Sequence, residues 1–253
     1  MTALYEMRGH TALLTLNDPE RRNALSRLIV RQMLEHLERA QSEGARGIVI
    51  TGQGKSFCSG ANMDDLRDGW MAGNEPSTDP TLLFRALVEM PIPVIAAVNG
   101  PAVGGGFELT MCCDLVVASE SAWFALPEIG LGVIPNTALA LLPRLIGVRK
   151  SLELILKREK LSSLLAMNLG LVNEIVPVGS EIETALSIAN NIHSGATPSA
   201  LAVAKKTFRT HNAINWELVR SSLHEVDRSE WDEGLIAFTT HKPFNHEKFW
   251  LKK

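Results

Sequence analysis

Short apolar runs alternate with amphipathic segments along the first half of the chain. The runs GIVITG at 47–52, PVIAAVNG at 93–100 and DLVVAS at 114–119 are bounded by turn residues and predict buried strands. Apolar residues at helical spacing predict a helix that Ser26 caps and that ends near residue 41, and another helix over 81–90. Strands that alternate with helices indicate βαβ units and a largely parallel sheet.

The two ends of the chain have different patterns. Residues 4–8 and 11–16 predict a short strand pair that turns at Gly9. From about residue 149 the pattern is mostly helical, with candidate helices over 181–193, 199–211 and 216–229. The fold class is therefore α/β, and we divide the chain into a core of residues 1–195 and a helical C-terminal region of residues 196–253.

Composition narrows the class of protein. The chain has 253 residues, of which 45% are hydrophobic and 21% charged, and its net charge of −3 gives no support for nucleic-acid binding. The N-terminus lacks an apolar signal core, and prolines and glycines break the uncharged run over 90–107, so we expect no membrane span. The odd, clustered cysteines Cys58, Cys112 and Cys113 suggest free thiols in the cytoplasm, and the histidine spacing predicts no metal.

The stretch from 91 to 143 contains no Lys, Arg or His but four carboxylates: Glu108, Asp114, Glu120 and Glu128. Glu108 and Glu128 both lie among apolar residues, where a carboxylate without a cation has a raised pKa. Two such groups close together can serve as a general acid and a general base. The alternative is that each caps a helix or pairs with a distant arginine such as Arg144 or Arg149.

Two glycine-rich turns follow predicted strands. One is GKSFCSGAN at 54–62, and the other lies within NGPAVGGGFELTMCCD at 99–114, which then enters an apolar helix. A glycine turn that opens a helix presents free backbone N–H groups, so two such turns could direct two donors at one oxygen atom, as in an oxyanion hole. The alternative is that both are tight turns without a ligand. Neither turn matches a dinucleotide or phosphate-loop motif.

The segments FCSGAN, NGPAVGGGFELTMCCD and FALPEIGLGVIP, in that order and spacing, strongly resemble the crotonase superfamily, the enoyl-CoA hydratase/isomerase family. The resemblance covers nearly the whole chain. It implies a crotonase-like spiral of ββα units with a helical C-terminal region that packs at subunit contacts, in a homotrimer or homohexamer. It also implies an acyl-CoA thioester substrate and no separate cofactor, because coenzyme A is part of the substrate.

The resemblance also implies the catalytic groups. The thioester oxygen is expected to accept the backbone N–H groups of Ala61 and Gly105. Glu108 and Glu128 match the two glutamates of the hydratases, which implies syn addition of water across the 2,3-double bond of a 2-enoyl-CoA. One glutamate activates the water and the other holds it or protonates Cα, and the sequence does not say which glutamate has which role.

Other positions match segments that line the substrate. By resemblance, Arg22 and Ala24 of RRNALS are expected to contact coenzyme A, and the alternative for Arg22 is a solvated surface charge. The segment from Ala61 through Asn62 and Met63 to Asp64 is expected to run along the pantetheine and adenine.

The sequence departs from the family pattern at several points. Asn62 stands where the family usually has Asp. Asn136 stands where hydratases have a glycine-rich segment, and we count it as a substrate-binding candidate, although an N-cap of the next helix is the alternative. The same change is expected to bring Leu139 near the pocket. Trp70 and Met71 lie in the segment that varies within the family and lines the acyl pocket. The alternative is that these two residues only pack against the core.

Three functions remain open from sequence. The first is an enoyl-CoA hydratase. The second is an enoyl-CoA isomerase, in which Glu128 would be the base and loss of Glu108 would be tolerated. The third is an acyl-CoA-binding homologue with little activity, and other crotonase reactions such as thioester hydrolysis or decarboxylation also remain possible.

Overall fold

A computed structural model describes residues 2–68, 70 and 78–250. The strands are β1 Thr2–Arg8, β2 Thr11–Asn17, β3 Gly47–Gly52, β4 Val94–Val98, β5 Ala102–Val103, β6 Leu115–Ser119, β7 Trp123–Ala125, β8 Leu161–Ser162 and β9 Glu174–Val176. The helices are α1 Arg27–Ser42, α2 Met63–Arg67, α3 Pro80–Glu89, α4 Gly105–Met111, α5 Asn136–Ile146, α6 Val148–Lys157, α7 Ser163–Asn168, α8 Glu181–Gly195, α9 Pro198–His211, α10 Trp216–Ser222, α11 Arg228–Thr240 and α12 Glu247–Trp250.

The main sheet has six strands in the order β1-β2-β3-β4-β6-β9. The β1–β2 pair is antiparallel and turns at Gly9, whereas every later pair is parallel. The predictions of the first strand pair, the three buried strands and the mostly parallel sheet are therefore confirmed. Because β3 and β4 are adjacent and parallel, the loops that leave their carboxyl ends emerge at the same edge of the sheet.

The central strands are buried on both faces, which explains their uninterrupted apolar sequences. Every residue of β3 and β4 is buried. In β3, Ile48 and Ile50 face the larger core, whereas Val49 faces a smaller core that α8 closes with Ala185 and Ala189. The alternation of single residues between two cores fixes the register of the sheet, since a slip by one residue would exchange the two faces.

A second, three-stranded sheet brings two distant segments of the chain together. Its order is β5-β7-β8, with β5 and β7 parallel, so that Ala102 pairs with Phe124 and Val103 with Ala125. The strand β5 leads directly into the glycine turn before α4, and β7 leads into the segment that contains Glu128. This small sheet therefore places the segment FALPEIGLGVIP beside the segment NGPAVGGGFELTMCCD.

The C-terminal region corrects one prediction. The helix expected over 216–229 ends at Ser222, a 3₁₀ turn follows, and a separate helix α11 begins at Arg228. The carboxylate of Asp227 caps α11 by accepting the N–H of Ser229 at 2.8 Å. The periodicity of apolar residues continues across the break, whereas Asp227 supplies a capping group that favours a new helix start.

The predicted division of the chain at 195/196 falls in the short segment between α8 and α9, and it stays a prediction. The large C-terminal helices pack on the core through specific polar contacts. Lys205 of α9 forms an ion pair with Asp114 and donates to the carbonyl of Ile92, and Arg209 donates to carbonyls at the end of α3. In the part of the chain described, no helix has the length and apolar character needed to cross a membrane.

Candidate active site

The first glycine turn is held in a conformation that only glycine adopts easily. Gly60 has φ +91°, and a Cβ at this position would stand 2.9 Å from the carbonyl oxygen of Val103 and 3.2 Å from the amide nitrogen of Gly105. Two hydrogen bonds of 2.7 Å connect this turn to the 22–25 loop. The Leu25 N–H donates to the Gly60 carbonyl, and the Asn62 N–H donates to the Leu25 carbonyl. Gly60 therefore lets the first turn approach the second closely.

The second turn is shaped by Gly104, which has φ +56° and ψ −127°. Its N–H donates to Ala125 of β7 at 2.9 Å, and its carbonyl accepts the N–H groups of Phe107 and Glu108. A Cβ on Gly104 would lie 2.8 Å from Oε1 of Glu128. The strained backbone and this close carboxylate both require glycine at position 104, which explains one of the three consecutive glycines.

The two turns bring the expected donors together. A Cβ on Gly105 would lie 3.7 Å from the amide nitrogen of Ala61, so the two residues are neighbours. Both residues are half-buried, and neither N–H donates a hydrogen bond to an acceptor in the described part of the chain. Gly105 begins α4, where an amide has no partner within its own helix. The arrangement leaves two backbone donors available to one oxygen atom.

Glu108 lies in the first turn of α4 and is 5% exposed. Its Oε1 accepts the backbone N–H of Ala138, at the start of α5, at 2.9 Å. Burial raises the pKa of Glu108 to about 7, and the amides of Ala138 and Thr137 oppose that increase. These amides could not be predicted as partners from sequence, because any residue except proline would supply the same N–H.

Glu128 begins a 3₁₀ turn over Glu128–Leu131 that follows β7. The residue as a whole is half-buried, but its Oε2 atom is buried and has no hydrogen-bond partner among the described residues. Burial raises the pKa of Glu128 well above its ordinary value, and the charge of Glu108 raises it further. The backbone amide of Glu128 opposes this increase, but burial and the charge of Glu108 outweigh it and favour the protonated form.

The alternative that these glutamates pair with arginines does not fit the contacts. Arg144 donates to the carbonyls of Asn212 and Ala213, at 2.6 and 2.9 Å. Among the described residues, no ion pair includes Glu108 or Glu128. No cation among those residues therefore lowers the pKa of either carboxyl group. The two groups interact mainly with each other and with backbone amides.

The predicted CoA-contacting loop lies beside the first donor turn. Arg22 has φ +53° and an exposed side chain, and its carbonyl accepts the N–H of Ser59, whereas Ala24 is buried. Sequence reasoning missed Asn23, which is fully buried with φ +57°. Its side chain accepts the Asp18 N–H and donates to the carbonyls of Gln53 and Ser56. Asn tolerates this left-handed backbone better than most residues, which was the available signal.

The residues that follow Ala61 form the start of α2. Asn62 is buried and caps this helix, with Oδ1 accepting the N–H groups of Asp64 and Asp65 at 3.0 and 3.1 Å. Met63 is half-buried, and the exposed Asp64 pairs with Arg67 at 3.3 Å. The departure from the family's Asp at position 62 therefore keeps a capping side chain, since Asn and Asp serve equally well. That Met63 and Asp64 contact substrate stays a prediction.

Asn136 is placed differently from an N-cap. It is the first residue of α5, Pro135 occupies the capping position, and the side chain of Asn136 donates to the Val219 carbonyl of α10 at 2.9 Å. Its Oδ1 accepts the N–H of Thr137 at 3.0 Å. The N-cap prediction is wrong because the carboxamide binds α10 instead. Substrate contact by Asn136 stays a prediction, and its polar atoms already have partners within the chain.

The acyl-pocket candidates are only partly described. Trp70 is buried, and its indole N–H donates to the Thr78 carbonyl at 2.9 Å, whereas Met71 lies outside the described residues. Leu139 is 40% exposed. A cavity of about 330 Å³ lies beside the 3₁₀ turn, and none of the four predicted catalytic residues lines it. In the described ranges, no group of three or more His, Cys, Asp or Glu side chains is arranged to hold a metal.

Comparisons with known proteins show the family to which the chain belongs. Residues 6–248 match the family model described as enoyl-CoA hydratase/isomerase. The chain is 36% identical to a putative enoyl-CoA hydratase of Thermus thermophilus over 248 residues, which cover 93% of this chain and 97% of that protein. It is similar to the solved carnitinyl-CoA hydratase from Mycobacterium avium, with a TM-score of 0.85, 33% identity and coverage of 96% and 97%. A monofunctional enoyl-CoA isomerase from M. smegmatis has a TM-score of 0.70, 30% identity and coverage of 83% and 93%.

Proposed function

The chain belongs to the enoyl-CoA hydratase/isomerase family, and from this premise we propose that it is an enoyl-CoA hydratase acting on a 2-enoyl-CoA thioester. One observation carries the proposal: two buried carboxyl groups without a cation flank the same glycine turn, and their surroundings differ. Glu108 accepts a backbone N–H, which favours its ionised form, whereas Oε2 of Glu128 has no partner. Two carboxyl groups whose pKa values are separated by their environments are suited to act as a base and an acid.

In the proposed reaction the thioester oxygen accepts the N–H groups of Ala61 and Gly105. The Glu108 carboxylate takes a proton from water as the water oxygen bonds to C3 of the substrate. The electrons of the 2,3-double bond move onto the thioester, and the two amides stabilise the enolate oxygen that forms. The carboxylic acid of Glu128 then gives its proton to C2, which completes the addition of one water and leaves the CoA ester intact.

An isomerase is the second candidate, favoured by the match to the M. smegmatis isomerase. Moving a double bond between the 3,4 and 2,3 positions needs one group that takes a proton and returns it. Glu128 alone could do this with the same two N–H donors. Under this reading nothing requires a second carboxyl at position 108, so the burial of Glu108 without a cation favours the hydratase.

The purified protein should be supplied with a short 2-enoyl-CoA and, separately, with the matching 3-enoyl-CoA, and the products separated by chromatography, which resolves the two isomers, and identified by mass. A hydratase increases the mass of the 2-enoyl-CoA by one water. Migration of the double bond in the 3-enoyl-CoA at constant mass, with no water uptake from either substrate, would identify an isomerase. Binding of CoA esters without turnover would contradict both assignments and favour a binding role.

We also propose that the enzyme works without a cofactor other than the coenzyme A of its substrate, because acid–base chemistry and two amides suffice for the steps above. A cytoplasmic location is supported by the free thiols of Cys58, Cys112 and Cys113.

We propose in addition that the chain forms a homotrimer or homohexamer through its C-terminal helices. No residue of α9 is fully buried, although the Lys205 side chain is largely enclosed, and Phe208 on this helix is 73% exposed. Val203 of α9 and Ile236 of α11 are also largely exposed, at 61% and 60%. Large apolar side chains exposed on these helices support a surface that another subunit covers.

The substitution Phe208→Glu is expected to dissociate the oligomer at micromolar concentrations, because it would place a charge in an apolar contact. Sedimentation equilibrium gives the mass directly. The matched variant Thr210→Glu adds the same charge at an exposed polar position of α9 and should keep the oligomer. A wild-type protein that sediments as a monomer would contradict the proposed assembly.

A further inference from the structure

The helix α11 contacts the turn that carries Glu128 through backbone atoms. A Cβ on Gly234 would overlap the carbonyl group of Leu131, and it would stand only 3.0 Å from the Leu131 Cα. Gly234 is buried within α11, and Leu131 is the last residue of the 3₁₀ turn that begins at Glu128. Glycine at position 234 therefore allows a closeness between helix and turn that any side chain would prevent.

A second glycine makes the same contact from the turn. Gly132 follows the turn with φ +68°, and a Cβ on it would overlap the carbonyl of Glu230 and lie 3.0 Å from the amide nitrogen of Trp231. Glu230 precedes Gly234 by one helical turn, so the two glycines lie along one line of contact. On another part of the turn, the Arg158 side chain lies against Gly130, where its Nη1 would overlap a Gly130 Cβ and its Cδ and Cζ lie 3.3 Å from the position of that Cβ.

We infer that Gly234 is a positioning residue for Glu128, because the contact of α11 with the turn fixes where the Glu128 carboxyl lies relative to Gly104. The inference rests on the proposed function and extends it to a helix that sequence analysis assigned only to oligomerisation. The Glu128 Oε2 atom has no described partner, so the side chain depends on its backbone turn for its direction. Its Oε1 is close to Gly104, where a small displacement changes the contact.

The substitution Gly234→Ala tests this inference. The methyl group should push the turn away from α11 by about 1 Å, and a misplacement of that size can lower turnover by about 10²-fold. We expect kcat for hydration to fall by about that factor, with KM within about threefold of the wild type, since the donors at Ala61 and Gly105 are untouched. The matched control is Gly195→Ala, because that helical glycine has open space around its Cβ position and should keep wild-type kcat.

A double-variant cycle separates positioning from general damage. In the Glu128→Gln background, where the acid is already absent, Gly234→Ala should lower kcat by less than about threefold. An equal loss in both backgrounds would overturn the inference. If Gly234→Ala does not fold, Arg158→Met at an exposed position provides a milder loosening of the same turn, and it should show the same pattern with a smaller loss.

The crystal structure of Gly234→Ala supplies a readout that does not depend on hydration. Displacement of residues 128–132, with the glycine turn before α4 in place, is the expected result. A wild-type protein that does not hydrate any 2-enoyl-CoA would contradict the proposed function, whereas an unmoved Glu128 in this variant would contradict the positioning role alone.

Discussion

Replacing Glu108 with Gln is expected to lower kcat for hydration of a 2-enoyl-CoA by about 10³-fold, and Glu128→Gln should have an effect of similar size. Each amide keeps the volume of the side chain but can neither accept the proton of water nor deliver a proton to C2. Positioned acids and bases contribute about 10²–10⁴-fold to rates, so either loss falls in that range. Initial rates at saturating substrate measure the effect.

A third carboxyl group provides the control. Glu120 lies in the same stretch without cations, but its side chain is exposed, and Glu120→Gln should keep the wild-type rate. The two active-site losses should not add fully in the double variant, because acid and base act in one reaction. Full hydration by Glu108→Gln would contradict the two-carboxyl mechanism, and isomerisation that survives the same change would favour the isomerase.

The second large effect concerns a backbone group. Gly105 is the first residue of α4, a position where proline is well tolerated in helices, so Gly105→Pro removes the N–H donor and keeps the helix start. Loss of one oxyanion donor costs about 10²–10³-fold in kcat. The matched variant Gly105→Ala keeps the N–H and adds a Cβ whose nearest neighbours lie at 3.4–3.7 Å, an ordinary packing distance.

The informative quantity is the ratio of kcat between these two variants, because both add carbon atoms at position 105. We expect Gly105→Pro to be at least about tenfold slower than Gly105→Ala, with circular dichroism showing both folded. Equal rates in folded variants would mean that the Gly105 amide does not stabilise the reacting oxygen.

The sequence was informative wherever a requirement falls on side chains or on glycine itself. Apolar runs predicted β3 and β4 because strands covered on both faces must be apolar throughout. The two glycine turns indicated close backbone approach, and the structure places Gly60 against the amide of Gly105. The absence of cations around Glu108 and Glu128 correctly indicated raised pKa values.

The contacts that sequence analysis missed are mostly made by the backbone. The amide of Ala138 donates to Glu108, and the Val219 carbonyl accepts a hydrogen bond from Asn136. Neither backbone group can be predicted from the type of residue that carries it. The break between α10 and α11 was missed because apolar spacing continued across it. Gly234 in the middle of α11 was the one visible signal of close helix packing, since glycine weakens a helix interior by about 1 kcal/mol.

The pH dependence of kcat/KM for 2-enoyl-CoA hydration tests the central claim, an ionised Glu108 beside a protonated Glu128, most directly. Burial raises the pKa of Glu108 to about 7, so the base is lost as pH falls below that value. The pKa of Glu128 is raised as well, so the acid is lost as pH rises through it. We predict a bell-shaped profile for the wild type, and the residual activity of Glu108→Gln should lack the acidic limb of that profile. A wild-type rate that stays constant from pH 5 to pH 9 would contradict it.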